Sequence, residues 1–329
     1  MTQPVDPQSY DAIDLFAGPG GWDIAARTLG LNVLGVETDE AACETRRAAG
    51  LPTLQADVRA LDPTYRPAPG LIASPPCQTF SMAGSGSGRR ALDTVIDAAA
   101  KIAEHGFPEL GGLGPRTALI LEPLRWVVEA RRRGVPYGWV ALEQVPTVLP
   151  VWEVFTAHLR DIGYFVATGV LSAEQYGVPQ TRRHAVLIAR RDYPVALPAP
   201  THSRYYPRDP SRLDPGVLPW VSMSDALGWA RDVAVRSNYG TRGDPADRRV
   251  RIGSQPAWTV TSKVDRNIVF RNGEDPSRSS KVSVQEASTL QTFPADYPWR
   301  GTRSQQCQQV GNAIPPLLAE AILREAVKR

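Results

Sequence analysis

The chain has 329 residues, a formal net charge of +3 and 42% hydrophobic residues, enough apolar material for one large domain with a smaller one attached. No apolar run approaches membrane-spanning length, and the polar start from Met1 to Asp11 lacks the basic and apolar regions of a secretory signal. Three widely separated cysteines, Cys43, Cys77 and Cys307, argue against a disulfide framework or zinc cluster and favour a reducing cytoplasm, while the mild positive charge permits a polyanionic partner without requiring one.

The first half alternates short apolar runs with helical stretches, which predicts a doubly wound α/β sheet. Ala12 to Phe16 reads as a buried strand, followed by the turn Ala17-Gly18-Pro19-Gly20-Gly21 and a helix from Trp22 to Leu29. Asn32 to Val36 reads as the second strand, ending on Glu37, and Ala41 to Ala49 as the next helix. Thr53 to Gln55 leads into Asp57, and Leu71 to Ala73 is a short strand closing on Ser74-Pro75-Pro76-Cys77. Residues 81–90 are rich in Gly and Ser, Thr117 to Arg131 reads as one long helix, and Trp139 to Leu142 as a strand ending at Glu143. Acidic and nucleophilic residues thus stand just past strand C-termini, where open α/β sheets bind ligands.

After Val186 to Ala189 the pattern loosens, with Pro, Arg, Asp, Ser and scattered aromatics from Arg191 to Ser280. Only Ala257 to Thr261 and Ile268 to Phe270 look strand-like there. The expected division is residues 1–190 as a catalytic domain, 191–285 as a smaller loop-rich domain, and 286–329 as a hinge and C-terminal segment packing back on the first. An apolar helix from Leu317 to Val327 closes the chain.

The glycine turn after the first strand brings backbone N–H groups close to a ligand, although such turns also serve packing alone. Glu37, about twenty residues further on, suits two ribose hydroxyls, and Asp57 an adenine amino group. A nucleoside-type cofactor fits this set better than a dinucleotide. Cys43 and Cys307 read as inert small hydrophobes. Cys77 differs: two prolines stiffen the backbone before it and a glycine-rich loop follows, an arrangement suited to a nucleophile.

Asp14 to Gly21, Pro76-Cys77-Gln78, Glu143-Gln144-Val145, Gln180-Thr181-Arg182-Arg183-His184, Leu290-Gln291-Thr292-Phe293-Pro294 and Gly311-Asn312-Ala313-Ile314-Pro315-Pro316 occur in that order. Together they resemble the motif series of the cytosine-5 DNA methyltransferases, over nearly the whole chain apart from residues 191–277. The resemblance implies a Rossmann-like class I S-adenosylmethionine-dependent fold, S-adenosyl-L-methionine as cofactor and double-stranded DNA as partner, with residues 191–285 as the target-recognition domain. It implies a bacterial or phage cytoplasm, with no membrane, and a monomer. It assigns Cys77 as nucleophile towards cytosine C6, Glu143 as the acid facing N3, and Arg182 and His184 to charge stabilisation. Phe16, Ala17, Gly18, Pro19 and Gly21 are expected to line the cofactor pocket, Glu37 and Thr38 to hold the ribose, Asp57 and Val58 to meet the adenine, and Pro76 and Asn312 to close it. Asn312 also fits a helix-end role before Pro315. The target base has to be flipped out, because C6 is unreachable inside a duplex.

Two departures adjoin the chemistry. The family's Glu-Asn-Val is here Glu143-Gln144-Val145, so any brace from that amide to the Pro76-Cys77 turn has to shift. The second Arg of its Gln-x-Arg-x-Arg is here His184, with Arg183 expected on the opposite strand face. Because imidazole is charged only at lower pH, turnover is expected to be slow or to rise towards pH 6 (about the imidazole range). Other readings stay open at this point: a methyltransferase-like DNA-binding protein of weak activity, or a same-fold enzyme acting on RNA or using a modified one-carbon donor. Arg204, Arg208, Arg248, Arg249 and Arg251 are available for phosphates or guanine edges, and Thr259 or Thr261 for approach to DNA.

Overall fold

The computed structural model describes residues 9–76, 80, 90–105, 113–237, 250–271 and 279–328. Its first strands are Ala12–Leu15 (β1), Val33–Glu37 (β2), Thr53–Gln55 (β3), Gly70–Ala73 (β4), Trp139–Gln144 (β5), Phe165–Ser172 (β6) and Arg183–Arg190 (β7). They form one sheet in the order β3-β2-β1-β4-β5-β7-β6. The pairings from β3 to β5 are parallel, and β7 runs antiparallel between β5 and β6. Strand order reverses between β1 and β4, which opens a crevice at their C-terminal ends.

The helices are Gly21–Thr28 (α1), Glu40–Ala48 (α2), Leu92–His105 (α3), Pro115–Ala118 (α4), Glu122–Arg132 (α5), Leu149–Asp161 (α6), Met223–Leu227 (α7), Val284–Leu290 (α8), Arg303–Asn312 (α9) and Pro316–Ala326 (α10). Alternate strand residues face opposite layers, as a period of two demands. Ile13, Leu15, Leu71, Val140, Leu142 and Leu187 pack with Val95, Ile102, Leu124 and Phe155 of α3, α5 and α6. Ala12, Ile72, Ala141, Val186 and Ile188 face the other way, onto Trp22 and Ala25 of α1 and Leu318, Ile322 and Leu323 of α10. The C-terminal helix therefore fills the layer beside α1. None of the described helices is long and apolar enough to cross a membrane.

A second sheet is built from Val233–Arg236 (β8), Val250–Ile252 (β9), Ile268–Arg271 (β10) and Ser280–Lys281 (β11), in the order β11-β10-β8-β9. Its core joins Val235, Ala257 and Val260 to Leu290, Phe293, Tyr297, Trp299 and Val310. Three aromatic rings, Phe293, Tyr297 and Trp299, lie with centroids 4.9–5.0 Å apart, spacing that favours tilted ring contacts.

The helix expected over Thr117 to Arg131 is broken. It runs as α4, a tight turn Leu119–Leu121 and then α5, with Pro123 in the first turn of α5. Proline lacks the N–H a continuous helix needs there but suits a helix start. Ala257 to Thr261 forms no strand. Ala257 contributes one isolated bridge to Gln180, and the segment instead supports the Gln180–Arg182 turn.

One buried ion pair ties the layers near the glycine turn. Arg46 of α2 donates to both carboxylate oxygens of Asp23 in α1, at 2.6 and 2.8 Å, and to the carbonyls of Ala17 and Pro52. Both side chains are essentially inaccessible. Removing one partner leaves a buried, uncompensated charge, so Asp23→Ala is expected to destabilise the protein by about 3–5 kcal/mol. Urea unfolding of the two proteins checks this, and a loss below about 1 kcal/mol, the range of an exposed pair, would contradict it.

Candidate active site

β1 ends where Phe16 adopts a left-handed backbone (φ 62°), unusual for a bulky residue. Gly18 and Gly20 follow at φ 52° and 106°, so the chain turns sharply into α1. Gly21 is required by proximity: a Cβ there would lie 2.3 Å from the Ile314 carbonyl oxygen. The segment after α9 is thus laid directly on the start of α1. The Tyr297 hydroxyl donates to the Pro19 carbonyl and anchors the same turn.

Glu37 stands at the end of β2 with its carboxylate turned towards this loop. Its Oε2 accepts from Gly18 N–H at 2.8 Å, and its Oε1 from Thr38 and Asp39 N–H at 2.7 and 2.8 Å. Oε2 keeps one further acceptor site, which suits a ribose hydroxyl. Asp57 is engaged by Arg59, whose Nη2 lies 2.5 Å from Oδ2 and whose Nε lies 3.0 Å from Oδ1. The Arg59 hydrogen bond holds the Asp57 carboxyl below the usual carboxylate range.

These residues line a single cavity of about 300 Å³. Phe16, Ala17, Gly18, Pro19, Gly21, Glu37, Thr38, Asp57, Val58, Pro76 and Asn312 all border it, together with Glu143 and Arg182. Asn312 is the last residue of α9, so its helix-end position and its place in the wall coincide. Residues not singled out from sequence also line it: Trp22, Arg59, Ser74, Gln305, Gln308, Gln309 and Ile314. Gln309 is buried with an Oε1 that has no partner among the described residues. Cys77 lies outside the described residues, as does the Gly/Ser-rich segment 81–89.

Glu143 is buried at the C-terminal end of β5. The antiparallel register puts it opposite Val186, which brings the side chain of His184, two residues earlier on β7, diagonally onto the same face. His184 Nδ1 lies 2.6 Å from Glu143 Oε1. The other carboxylate oxygen, Oε2, accepts from Ser74 Oγ at 3.0 Å. Burial raises the Glu143 carboxyl, but His184, Arg182 and the Ser74 hydroxyl together outweigh it and hold the group below the usual carboxylate range. Burial draws the His184 imidazole down, and the raising pull of Glu143 does not fully offset it. The resting pair is therefore a carboxylate accepting from a neutral imidazole that carries its proton on Nδ1. His184 Nε2 is buried without a partner among the described residues.

The departures from the motif series have structural answers. Gln144 Nε2 donates to the Pro75 carbonyl while its Oε1 accepts from Val145 N–H. The longer amide thus braces the turn through Pro75. Arg183 is exposed and His184 buried, as alternation along β7 requires. Arg182 Nη1 donates to the carbonyls of Gly311 at 2.9 Å and Val260 at 3.2 Å.

The expected DNA contact of Arg251 is corrected. Its side chain is buried, its guanidinium stands 3.7 Å from the Trp258 ring centroid and 5.1 Å from that of Tyr205, and it donates to Thr181 Oγ1 and the Pro256 and Ala257 carbonyls. An arginine so stacked and bonded holds the Thr181 turn and is not free for phosphate. Thr259 Oγ1 is likewise turned inward, donating to the Thr181 carbonyl at 2.8 Å. Arg204 and Arg208 are exposed, and Arg248 and Arg249 lie outside the described residues. Cys43 and Cys307 are buried, and burial pushes the Cys43 thiol up to about 11, which leaves it protonated and unreactive.

The family model for C-5 cytosine-specific DNA methylase matches residues 10–109, 127–215 and 222–328. Type II methyltransferase M1.HphI of Haemophilus parahaemolyticus is 28% identical, with 97% of this chain and 87% of that protein covered. Type II methyltransferase M.AplI of Arthrospira platensis is 27% identical, covering 95% of this chain and 84% of its own length. Among solved structures, the S. pombe Dnmt2 methyltransferase superposes with a TM-score of 0.63 at 14% identity, covering 98% and 99% of the two chains. A DNA modification methyltransferase encoded within an E. coli prophage gives 0.61 at 18% identity, covering 96% and 98%. The structures share the doubly wound fold, and the family match runs almost from end to end. The chain belongs to the C-5 cytosine-specific DNA methylase family.

Proposed function

We propose that this chain is a DNA (cytosine-5-)-methyltransferase that uses S-adenosyl-L-methionine and acts on double-stranded DNA with the target cytosine flipped out. One observation carries the reading: the cofactor-type wall (Phe16, Gly18, Glu37, Asp57, Asn312), the Glu143 acid and Arg182 border the same cavity, with Pro76, the residue before Cys77, on its rim. The residues present fit the cofactor. Glu37 Oε2 keeps an acceptor site for a ribose hydroxyl, Gly18, where a Cβ would meet nothing within 4 Å, leaves room at the turn, and Gln309 Oε1 has no partner among the described residues. When bound, the cofactor supplies an electrophilic sulfonium methyl group.

The chain's own residues do the rest. The Cys77 thiolate adds to C6, forming a C–S bond and making C5 nucleophilic. Charge moves to N3, which Glu143 protonates or hydrogen-bonds. Arg182 stabilises charge developing at the base's O2 edge. After transfer, water removes the C5 proton, and the Cys77 C–S bond breaks by elimination. In this reading residues 1–190 do the chemistry, residues 191–285 select the target, and 286–329 close the cofactor pocket and pack against the first part. Bisulfite sequencing of DNA from cells expressing the protein tests the activity: a protected cytosine at one recurring sequence is expected. Methyl label in RNA alone would move the substrate class.

A further inference from the structure

A hydrogen-bond chain links the cofactor wall to the acid. Trp22, one residue after Gly21 in α1, lines the cavity, and its Nε1 lies 2.9 Å from Ser74 Oγ. Ser74 Oγ in turn lies 3.0 Å from Glu143 Oε2. Ser74 is set by the sheet itself. It follows Ala73, which pairs with Leu142 in the parallel β4–β5 register, and its N–H donates to the Leu15 carbonyl of β1. The direction of the chain is dictated by chemistry. An indole N–H only donates, so Ser74 Oγ accepts from Trp22, and its one hydroxyl proton goes to Glu143 Oε2. That oxygen is therefore kept as an acceptor, and the proton shared by Glu143 and His184 belongs on the Oε1–Nδ1 side.

We propose that Ser74 is a positioning residue for methyl transfer: held by Trp22, it fixes the orientation of the Glu143 carboxyl and keeps Oε2 an acceptor, opposite the oxygen that faces His184. The proposal rests on the assignment of Glu143 as the acid. Among the described residues, the titratable or charged groups facing Glu143 are His184 from β7 and Arg182 from the turn before it, with the neutral Ser74 just after β4 and Trp22 from α1.

The test measures kcat and KM on duplex DNA across pH for the wild type, Ser74→Ala, Ser74→Thr and Glu143→Gln. Ser74→Ala is expected to lower kcat about tenfold, the rate equivalent of one hydrogen bond to a charged group, with KM for DNA and cofactor nearly unchanged. The limb of its pH profile set by the Glu143–His184 pair moves to higher pH, because the lost donor had favoured the carboxylate. Ser74→Thr, which keeps the hydroxyl, restores both. If Ser74→Ala does not fold, Ser74→Cys, similar in size and a weaker donor, carries the same comparison. A Ser74→Ala enzyme with wild-type kcat, or one slowed with an unmoved limb and no rescue by threonine, overturns the proposal while a dead Glu143→Gln leaves the acid assignment standing. A fully active Glu143→Gln enzyme removes both.

Discussion

Replacing Cys77 with serine is expected to abolish methyl transfer while leaving the fold and cofactor binding intact. An alkoxide is not available at neutral pH without an adjacent base, whereas a thiol is already partly ionised and intrinsically nucleophilic. The other thiols cannot substitute. Cys43 is buried with its ionisation pushed up to about 11, and burial also raises Cys307. The expected outcome is no label in DNA above background, with an unchanged melting temperature and unchanged cofactor affinity. Substantial residual label would mean that carbon–sulfur bond formation is not the route.

The second large effect is at Glu143. Glu143→Gln keeps the shape and one acceptor but removes the proton donor, and it leaves His184 facing an amide where it faced a carboxylate. General acid catalysis is typically worth about 10²–10⁴-fold, so kcat is expected to fall within that range with little change in cofactor affinity. The structure adds a stability component with a definite sign. Glu143 and His184 both titrate below their usual ranges in the fold. Each therefore binds fewer protons folded than unfolded, so their contribution to stability is present at neutral pH and is lost on acidification. For His184 the loss begins near the ordinary imidazole value of 6.5, and for Glu143 near the ordinary value of 4.5. Glu143→Gln should accordingly remove the loss that begins near 4.5 and deepen the one that begins near 6.5, because Glu143 is what pulls the His184 imidazole up, as well as slow the reaction. A kcat within about threefold of wild type, well below the range for general acid catalysis, would contradict the role.

His184 sharpens the pH expectation. Neutral in the fold, it becomes a cation comparable to the family's arginine only below the usual imidazole range. The rate is expected to stay flat from alkaline pH through neutrality and to rise only at more acidic pH, until the stability loss intervenes. His184→Arg should raise the neutral rate and remove that rise. An arginine variant that keeps the wild-type pH profile would show that charge at this position is irrelevant.

Much of the cofactor side was legible in the sequence because it depends on local chemistry. A buried strand, glycines at left-handed turns and an acid at the next strand end can be read without knowing how strands pair. The acid network was less accessible. Glu143 meets His184 only through the β5–β7 antiparallel register, and Ser74 meets Glu143 only because β4 and β5 run parallel side by side. Nothing in the sequence marks the Trp22 indole N–H as spent on Ser74. Arg251 looked available for DNA because composition does not reveal the Trp258 and Tyr205 rings that enclose it. The strands of the second sheet are two to four residues long, too short for alternation to stand out. Pro123 carried a readable signal, a helix start inside what looked like one helix.

The central claim is that methyl transfer goes to C5 of cytosine in duplex DNA. Its most direct measurement is mass spectrometry of nucleosides from duplex DNA incubated with S-adenosylmethionine and either the wild-type or the Cys77→Ser protein. 5-Methyldeoxycytidine from the wild type alone is the expected result; a methyl group on an exocyclic nitrogen, or equal yields from the two proteins, would contradict it.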